Sequence, residues 1–386
     1  MSEWPGDASG SPAESAAAES AATRRARTYP TDTAWFTDFV TFPVRGLGEE
    51  AGVHRRDPSS VLTIEGRYYV WYTRSVGETA GFGTQDPAAK VFPWDLSEIW
   101  FATSEDGQTW VERGRAVGRG EAGRYDDRSV FTPEVLHHEG RFFLVYQVVQ
   151  APYRLRSQES IALAVADAPE GPWRCGDAPI LRPSADGEWS GTADDRLAVS
   201  SRGSFDSLKV HDPILIPFRD RFFLYYKGEQ MGEGFSAGGR TTRWGLAVAD
   251  RIEGPYRRCA ANPVTNSGHE TCLWRYGEGI AALLTTDGPE RNTIQFAPNG
   301  VDFAIMAHVP APPVAPGPLR LEGAALQPLD GIRWGLCHDV TGPWHFIQGF
   351  AADERQKTLY SSGRSPETTP LPAPRALPAP RAHEGE

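Results

Sequence analysis

Three stretches of the chain repeat one pattern: SSVLTIEGRYYVWYTRS (59–75), TPEVLHHEGRFFLVYQVV (132–149) and DPILIPFRDRFFLYYKGE (212–229). A weaker copy, ETCLWRYGEGIAALLTTD, covers residues 270–287. Each copy has an apolar run, a short turn and a second apolar run rich in aromatic residues. β-Branched and aromatic residues favour strands, and two such runs joined by a tight turn predict a β-hairpin.

A second pattern follows each copy of the first and predicts a second hairpin. Its copies are EIWFATSEDGQTWVERG (98–114), IALAVADAPEGPWRCG (161–176), WGLAVADRIEGPYRRC (244–259), TIQFAPNGVDFAIMAHV (293–309) and WGLCHDVTGPWHFIQG (334–349). Paired hairpins give four-stranded units, and the chain from about Trp35 to Phe350 holds five of them, the fifth with a poorer first half. Radial repetition of such units makes a β-propeller, so we predict an all-β, five-bladed β-propeller. We expect WFTDFVTFPV, from Trp35, to add a strand that closes the ring; a large sandwich or a β-helix is the alternative.

The two ends of the chain differ from the repeats in composition. Residues 1–29 contain AESAAAESAATRRAR from Ala13, which favours a helix but has no apolar stripe to bury. Residues 363–386 are Pro-rich and predict a disordered tail, with an SH3-type ligand as the less favoured interpretation. We therefore divide the chain into a short N-terminal helical arm (1–29), a propeller domain (30–362) and a tail (363–386).

Composition and charge exclude several classes of function. The 386 residues are 40% apolar with a net charge of −11, so a core can form but a broad basic surface for nucleic acid cannot. The sequence has no run of about 18 apolar residues, so we expect no membrane span. The N-terminus lacks the basic start and apolar core of a secretory signal, and the four cysteines are scattered. These features predict a cytoplasmic protein without a disulfide framework.

In a propeller the innermost strand of each blade lines a central channel, and its starting end faces one mouth. The residues that open the first pattern should therefore meet there: Asp57, Glu134 and Asp212 in three consecutive blades, and His269 with Glu270 in the fourth. Converging carboxylates suit glycosidic bond cleavage, in which one group activates water and another protonates the leaving oxygen. The alternative for each Asp-Pro is a turn or cap at the start of a strand.

Other residues near the predicted mouth could take part in the same chemistry. His269 differs from an ordinary buried histidine because Asn-Ser-Gly precedes it and an acid follows it, which favours the protonated imidazole that a general acid needs. Arg56 precedes the first acid, and Trp94 and Trp189 lie in long loops where exposed aromatic rings suit sugar stacking. Solvent exposure for Arg56, and loop anchoring for the two tryptophans, are equally good interpretations.

These stretches resemble glycoside hydrolase family 117, five-bladed propellers related to families 43 and 32. The resemblance covers nearly the whole propeller domain. It rests on HRRDPSSV (54–61), YDDRSVFTPE (125–134), KVHDPILIPF (209–218) and NPVTNSGHETCLW (262–274), in that order, and on an S-x-A-x-x-R motif at Ser20, Ala22 and Arg25.

The resemblance implies an activity and a set of roles. The activity is exo-hydrolysis, with inversion, of 3,6-anhydro-L-galactose from the non-reducing end of neoagaro-oligosaccharides such as neoagarobiose, the last step of agar degradation. Asp57 would be the general base, Asp212 would stabilise the transition state and tune the acid, and His269 would be the general acid. Glu270 would bind sugar or help to set the charge of His269, while Glu134 is added from blade geometry alone.

The resemblance also bears on cofactors and partners. We expect no cofactor; some relatives hold a divalent cation near the pocket, and no ligand cluster in this sequence predicts a metal site. In the family the S-x-A-x-x-R segment forms helices that are exchanged between protomers, which implies a homodimer with swapped N-terminal arms. The expected partner is a small oligosaccharide, with neither nucleic acid nor membrane.

Three other functions stay open at this point. An exo-glycosidase of the family 43 kind, acting on arabinofuranosides or galactofuranosides, would use a glutamic acid as its proton donor, and Glu134 would then take that role. A propeller that binds sugar without cleaving it would have little need of three acids at the mouth. A protein-interaction propeller would need a binding rim that one sequence does not reveal.

Overall fold

The computed structural model describes residues 33–353, apart from 84, 85, 87 and 235–242. Within these residues the regular structure is strand, with two short 3-10 turns at Thr33–Trp35 and Asp330–Ile332 and no α-helix. The prediction of an all-β chain is confirmed. The predicted N-terminal arm (1–29) and Pro-rich tail (363–386) lie outside the described residues.

The strands follow one another in antiparallel units, preceded by β1 (Asp38–Pro43). The first unit contains β2 (Val53–Arg56), β3 (Leu62–Ile64), β4 (Arg67–Val76), β5 (Glu98–Ser104) and β6 (Trp110–Val117). Both β2 and β3 pair with β4, so they are the two halves of an interrupted inner strand. The second unit contains β7 (Ser129–His138), β8 (Arg141–Val149), β9 (Glu159–Ala166) and β10 (Arg174–Cys175), and a small hairpin of β11 (Glu188–Trp189) and β12 (Val199–Ser201) follows it.

The remaining units repeat this order. The third contains β13 (Lys209–Phe218), β14 (Arg221–Glu229), β15 (Arg243–Ala249) and β16 (Arg257–Arg258); the fourth contains β17 (Glu270–Tyr276), β18 (Gly279–Thr285), β19 (Thr293–Ala297) and β20 (Ala304–His308). The fifth contains β21 (Gly317–Pro318), β22 (Trp334–Asp339) and β23 (Phe346–Asp353), and β1 completes it by pairing with β23. A single parallel bridge between Lys209 and Glu159 joins the second and third units into one sheet.

Tight turns explain why the first sequence pattern forms hairpins. The two turn residues have positive φ in each of the three strong copies: Glu65–Gly66, Glu139–Gly140 and Arg219–Asp220. Two-residue turns with two positive φ angles match the right-handed twist of paired strands. The predicted hairpins are observed at all three places.

The core consists of apolar clusters between consecutive units. Each cluster takes buried side chains from two neighbouring units, for example Trp71 with Leu144, Val145 with Leu224, Leu246 with Leu284, Leu283 with Phe350, and Leu336 with Tyr72. The last of these clusters joins the fifth unit to the first. Burial of apolar area between units, at about 25 cal/mol per Å², is the main force that holds them together.

No helix in the described part of the chain is long and apolar enough to cross a membrane. The cytoplasmic location stays a prediction from the sequence.

Candidate active site

The starting ends of the inner strands meet at one pocket. Four of the five units place a left-handed residue followed by proline there: Asp57–Pro58 (φ 50°), Thr132–Pro133 (φ 47°), Asp212–Pro213 (φ 50°) and Ala315–Pro316 (φ 48°). Positive φ is unusual for residues with a Cβ, so this shared conformation marks the four pairs as one repeated structural position. Glu270 lines the same pocket from the fourth unit.

Glu134 does not occupy the position that the sequence comparison assigned to it. Strands β7 and β13 carry the same irregularity, at Thr132–Pro133 and at Asp212–Pro213. Thr132 therefore corresponds to Asp212, and Glu134 lies two residues further along. The expectation of an acid at one equivalent position in three blades was wrong, because Thr-Pro, and not the acid after it, forms the same bulge as Asp-Pro.

Glu134 nevertheless lines the same pocket, from the second unit. Its carboxylate accepts a hydrogen bond of 2.8 Å from the Ser60 backbone nitrogen and forms an ion pair with Arg320. Arg320 lines a second cavity, of about 420 Å³. The Glu134–Arg320 pair thus lies where the two cavities adjoin, and Ser60 and Leu273 line both of them.

Asp57 is buried and its charge is stabilised by neighbours. Arg56 Nη2 lies 3.4 Å and His338 Nδ1 lies 3.2 Å from Asp57 Oδ1. Burial by itself raises the pKa of Asp57, but the Arg56 guanidinium and the His338 imidazole hold that pKa well below its ordinary value. Asp57 is therefore ionised near neutral pH, as a general base must be.

The pKa of Asp212 is shifted in the opposite direction, upward. Burial raises the pKa of Asp212 to about 6, with the Lys227 charge acting to lower it and the Glu270 charge to raise it. The Lys227 ammonium forms an ion pair with Asp212 and donates to the His269 carbonyl oxygen at 3.0 Å. Asp57 and Asp212 thus lose their protons at different pH, which gives one pocket two carboxyl groups with different properties.

His269 lies immediately before β17, with 47% of its side chain exposed. Nδ1 lies 2.9 Å from Asp287 Oδ2, and Nε2 lies 3.8 Å from Glu270 Oε1. An ionised carboxylate only accepts, so Nδ1 donates to Asp287, and in the imidazolium form Nε2 carries the second proton, which it can pass to a ligand. Gly268, at φ 91° with no room for a Cβ beside Thr271, makes the turn that presents this imidazole.

Arg56 and Trp94 pack together beside Asp57. Arg56 Cζ lies 4.8 Å from the centre of the Trp94 ring, and Arg56 Nη1 lies 2.9 Å from His345 Nδ1. Trp94 also stacks on Phe92, with ring centres 4.5 Å apart. These contacts make Trp94 a support for Arg56, and the stacking of a sugar on Trp94 stays a prediction.

Trp189 lies in the hairpin of β11 and β12. Arg156 Cζ lies 4.6 Å from the Trp189 ring centre, and the same guanidinium donates to the carbonyl oxygens of Ser190 and Gly191. Trp189 is not among the described residues that line the pocket. The contacts agree with loop anchoring, and a sugar contact for Trp189 stays a prediction.

Sequence reasoning missed the partners of the predicted residues. Lys227 and Asp287 lie at or just after the ends of second strands, where a hairpin brings them back beside its opening residues. The register of the repeated hairpin could have placed both residues beside the predicted site. His338 lies on β22 in the fifth unit, so only the order of the units around the pocket places it beside Asp57.

The arrangement supplies the parts of an acid–base hydrolysis. Asp57 can accept a proton, His269 Nε2 can deliver one, and Asp212 can carry negative charge against a developing cation. Among the described side chains, no group of three or more His, Cys, Asp or Glu is placed to hold a metal ion.

No protein-family model and no curated protein matches the chain. Among solved structures, Zg3597, a family 117 glycoside hydrolase produced by the marine bacterium Zobellia galactanivorans, is 32% identical; the match covers 83% of this chain and 91% of that one, with a TM-score of 0.69. A GH43_1 enzyme from Xanthomonas citri complexed with xylotriose is 15% identical (81% of this chain, 90% of that one, TM-score 0.50). Fructan 1-exohydrolase IIa from Cichorium intybus is 12% identical (82% of this chain, 57% of that one, TM-score 0.50). The last two matches show a shared fold alone.

Proposed function

Because the chain belongs to glycoside hydrolase family 117, we propose that it is an exo-acting, inverting hydrolase that releases 3,6-anhydro-L-galactose from the non-reducing end of neoagaro-oligosaccharides such as neoagarobiose. Membership of the family makes the protein a glycoside hydrolase. The sugar, the end of the chain attacked and the stereochemistry belong to the proposal.

One observation carries the proposal: a buried, ionised Asp57 lines the pocket, and His269 directly precedes Glu270, which lines it from the fourth unit. His269 itself is not among the described residues that line the pocket, but its Nε2 lies 3.8 Å from Glu270 Oε1. The Asp287 contact at 2.9 Å orients the imidazole so that Nε2 is the nitrogen left to act. Base and acid therefore come from different units, and the proposal requires a sugar and a water to fit between them.

In the proposed reaction Asp57 takes a proton from water as the water oxygen attacks the anomeric carbon of the terminal sugar. The bond between that carbon and the glycosidic oxygen breaks, and His269 Nε2 passes its proton to the leaving oxygen. Asp212, when ionised, stabilises the positive charge that develops on the sugar ring. One displacement at the anomeric carbon inverts its configuration.

The ion pair of Glu134 with Arg320 supports exo-action. It lies between the pocket and the second cavity, where we infer that it keeps a sugar chain from passing through. A polysaccharide needs a groove open at both ends for internal cleavage, whereas a closed pocket takes only a chain end. The terminal sugar is thus the unit that reaches Asp57.

The family 43-like alternative is not favoured by the contacts of Glu134. That mechanism needs Glu134 to hold a proton and to reach the glycosidic oxygen. Both of its carboxylate oxygens already accept, one from the Ser60 backbone nitrogen and one from Arg320. Both oxygens are therefore engaged within the protein.

We also propose that the five units form a closed five-bladed β-propeller. Support comes from the apolar clusters, which join each unit to the next and the fifth to the first. Pairing of β1 with β23 brings the two ends of the described chain into one sheet, as ring closure requires.

The proposal extends to the assembly, a homodimer that exchanges its N-terminal arms. Its support is the family resemblance at Ser20, Ala22 and Arg25, which lie outside the described residues. Deletion of residues 1–29 should convert a dimer to a monomer in size-exclusion chromatography with light scattering. A deletion variant that remains dimeric would contradict arm exchange.

The substrate is tested by digestion of neoagarobiose with the full chain, with products separated by chromatography. We expect galactose and 3,6-anhydro-L-galactose in equal amounts. If a folded protein releases neither, the proposed substrate is wrong, and aryl arabinofuranosides and galactofuranosides then test the alternative. Binding of neoagarobiose without cleavage would favour a sugar-binding propeller.

The stereochemical part is tested by adding methanol to an active digest. An inverting enzyme has no covalent intermediate for methanol to intercept, so water should remain the acceptor and no methyl glycoside should form. A methyl glycoside of the released sugar would indicate a retaining mechanism.

A further inference from the structure

Thr132 occupies in the second unit the position that Asp57 and Asp212 occupy in the first and third. All three residues precede proline, have φ between 47° and 50°, and line the same pocket. A left-handed residue fixed before a bulge aims its side chain in the same way in each unit. The Thr132 hydroxyl is therefore presented to the pocket in the manner of the two carboxylates.

The nearest functional group to this hydroxyl is the carboxylate of Asp57. Thr132 Oγ1 lies 3.5 Å from Asp57 Oδ2, at the outer limit of a direct hydrogen bond. The Thr132 backbone nitrogen donates to Thr73 Oγ1 at 2.8 Å, and Thr73 also hydrogen-bonds Asp57. Thr73 and Thr132 thus belong to one hydrogen-bond network beside Asp57.

The two oxygens of Asp57 differ in their surroundings. Arg56 Nη2 and His338 Nδ1 both lie near Oδ1. Oδ2 faces Thr132 instead, whose hydroxyl is on the pocket wall. Oδ2 is thus the oxygen beside a pocket-lining hydroxyl, and the better placed of the two to take a proton from water.

A water molecule can touch both oxygens at once. Oxygen atoms 3.5 Å apart each lie within hydrogen-bond distance of a third oxygen placed to one side, at about 2.8 Å. Such a water would give one hydrogen to Asp57 Oδ2 and the other to Thr132 Oγ1. Both of its hydrogens are then directed to the wall, so a lone pair is left to point into the pocket.

We propose that Thr132 is a positioning residue that orients the hydrolytic water against Asp57. This inference rests on the proposed hydrolysis and adds a residue to it. Asp57 alone fixes one O–H direction of the water, and Thr132 fixes the second. Orientation of a reactant lowers the barrier to reaction without tightening the binding of the sugar.

The test compares Thr132→Val, which keeps the shape and removes the hydroxyl, with Thr132→Ser, which keeps the hydroxyl. On neoagarobiose we expect Thr132→Val to lower kcat by about tenfold to a hundredfold with KM within about threefold, and Thr132→Ser to keep most of the wild-type kcat. Thr63→Val, at an exposed position of β3, serves as the matched control and should behave as wild type.

A second comparison separates water positioning from a merely structural role. In an Asp57→Asn background the water is no longer activated, so Thr132→Val should cost little more. A tenfold loss in both backgrounds, or equal losses in Thr132→Val and Thr132→Ser, would overturn the inference.

The outcomes also separate this inference from the proposed function. An active wild type with an unaffected Thr132→Val overturns the role of Thr132 and leaves the hydrolase standing. A folded wild type that cleaves neither neoagarobiose nor an aryl furanoside overturns both.

Discussion

Asp57 and His269 differ in how the chain holds them. Asp57 is buried at 7% exposure, in a left-handed conformation before proline, with charged or imidazole groups of two units against its Oδ1. The side chain of His269 is 47% exposed and follows a glycine turn, with one carboxylate on each side of the ring. The base is thus fixed in place before substrate binds, whereas the acid stays in contact with solvent.

This difference matches what each group has to do. A base that orients a water must be held rigidly, because small displacements reduce the rate steeply. An acid that gives up its proton in every turnover must regain one from solvent, which an exposed imidazole can do. The following experiments test this difference between the buried base and the exposed acid.

Chemical rescue by a small molecule tests whether the general acid is open to solvent. Loss of the general acid in His269→Ala should lower kcat by about a hundredfold to a thousandfold. Because the site is exposed, imidazole added to the buffer should restore part of the rate. A His269→Ala variant whose rate of sugar release imidazole does not restore would contradict the role of this histidine as a solvent-exposed general acid.

The dependence of kcat/KM on pH tests the raised pKa of Asp212. Burial raises the pKa of Asp212 to about 6, so kcat/KM should fall as the pH drops through that value and Asp212 takes up a proton. The Lys227 ammonium favours the ionised form of Asp212. Its removal in Lys227→Met should therefore raise the pKa and move the acidic limb to higher pH by about one unit. A limb that stays in place or moves to lower pH would show that Asp212 does not set it, provided that melting curves show a folded variant.

The two tryptophans provide the smallest expected effects. Trp94→Ala removes the ring on which Arg56 lies, and Arg56 contacts Asp57, so kcat/KM should fall by up to about tenfold. Trp189→Ala removes the ring that Arg156 covers, away from the residues that line the pocket, and should leave kcat/KM within about twofold of wild type. If Trp189→Ala has the larger effect, Trp189 contacts the sugar and the loop-anchoring interpretation is wrong.

The repeat in the sequence predicted the hairpins, because the alternation of apolar runs and tight turns is a local property. It also predicted that Asp57, Glu134, Asp212 and Glu270 would line one pocket, since equivalent positions in a repeat fold converge. Only the equivalence of Glu134 to the two aspartates was wrong, because Glu134 lies two residues further along its strand. Matching acid to acid ignored the backbone, and the X-Pro bulge, present as Thr132–Pro133, was the better guide.

Contacts between distant units could not be read from the sequence. His338 beside Asp57 and Arg320 beside Glu134 depend on the packing of the fifth unit against the first and second. Nothing in the local pattern of either residue distinguishes it from a surface group. Such pairs follow from the way the units assemble around the pocket, and the three-dimensional arrangement is needed to identify them.

The most informative single measurement is the rate of sugar release from neoagarobiose by wild type and by Asp57→Asn, purified and assayed in parallel. Asparagine has nearly the shape of aspartate but cannot accept the proton from water. We expect wild type to release 3,6-anhydro-L-galactose and Asp57→Asn to do so about a thousandfold more slowly, with a circular dichroism spectrum that shows a folded variant. An Asp57→Asn variant within tenfold of wild type would contradict the assignment of Asp57 as the base and the mechanism built on it.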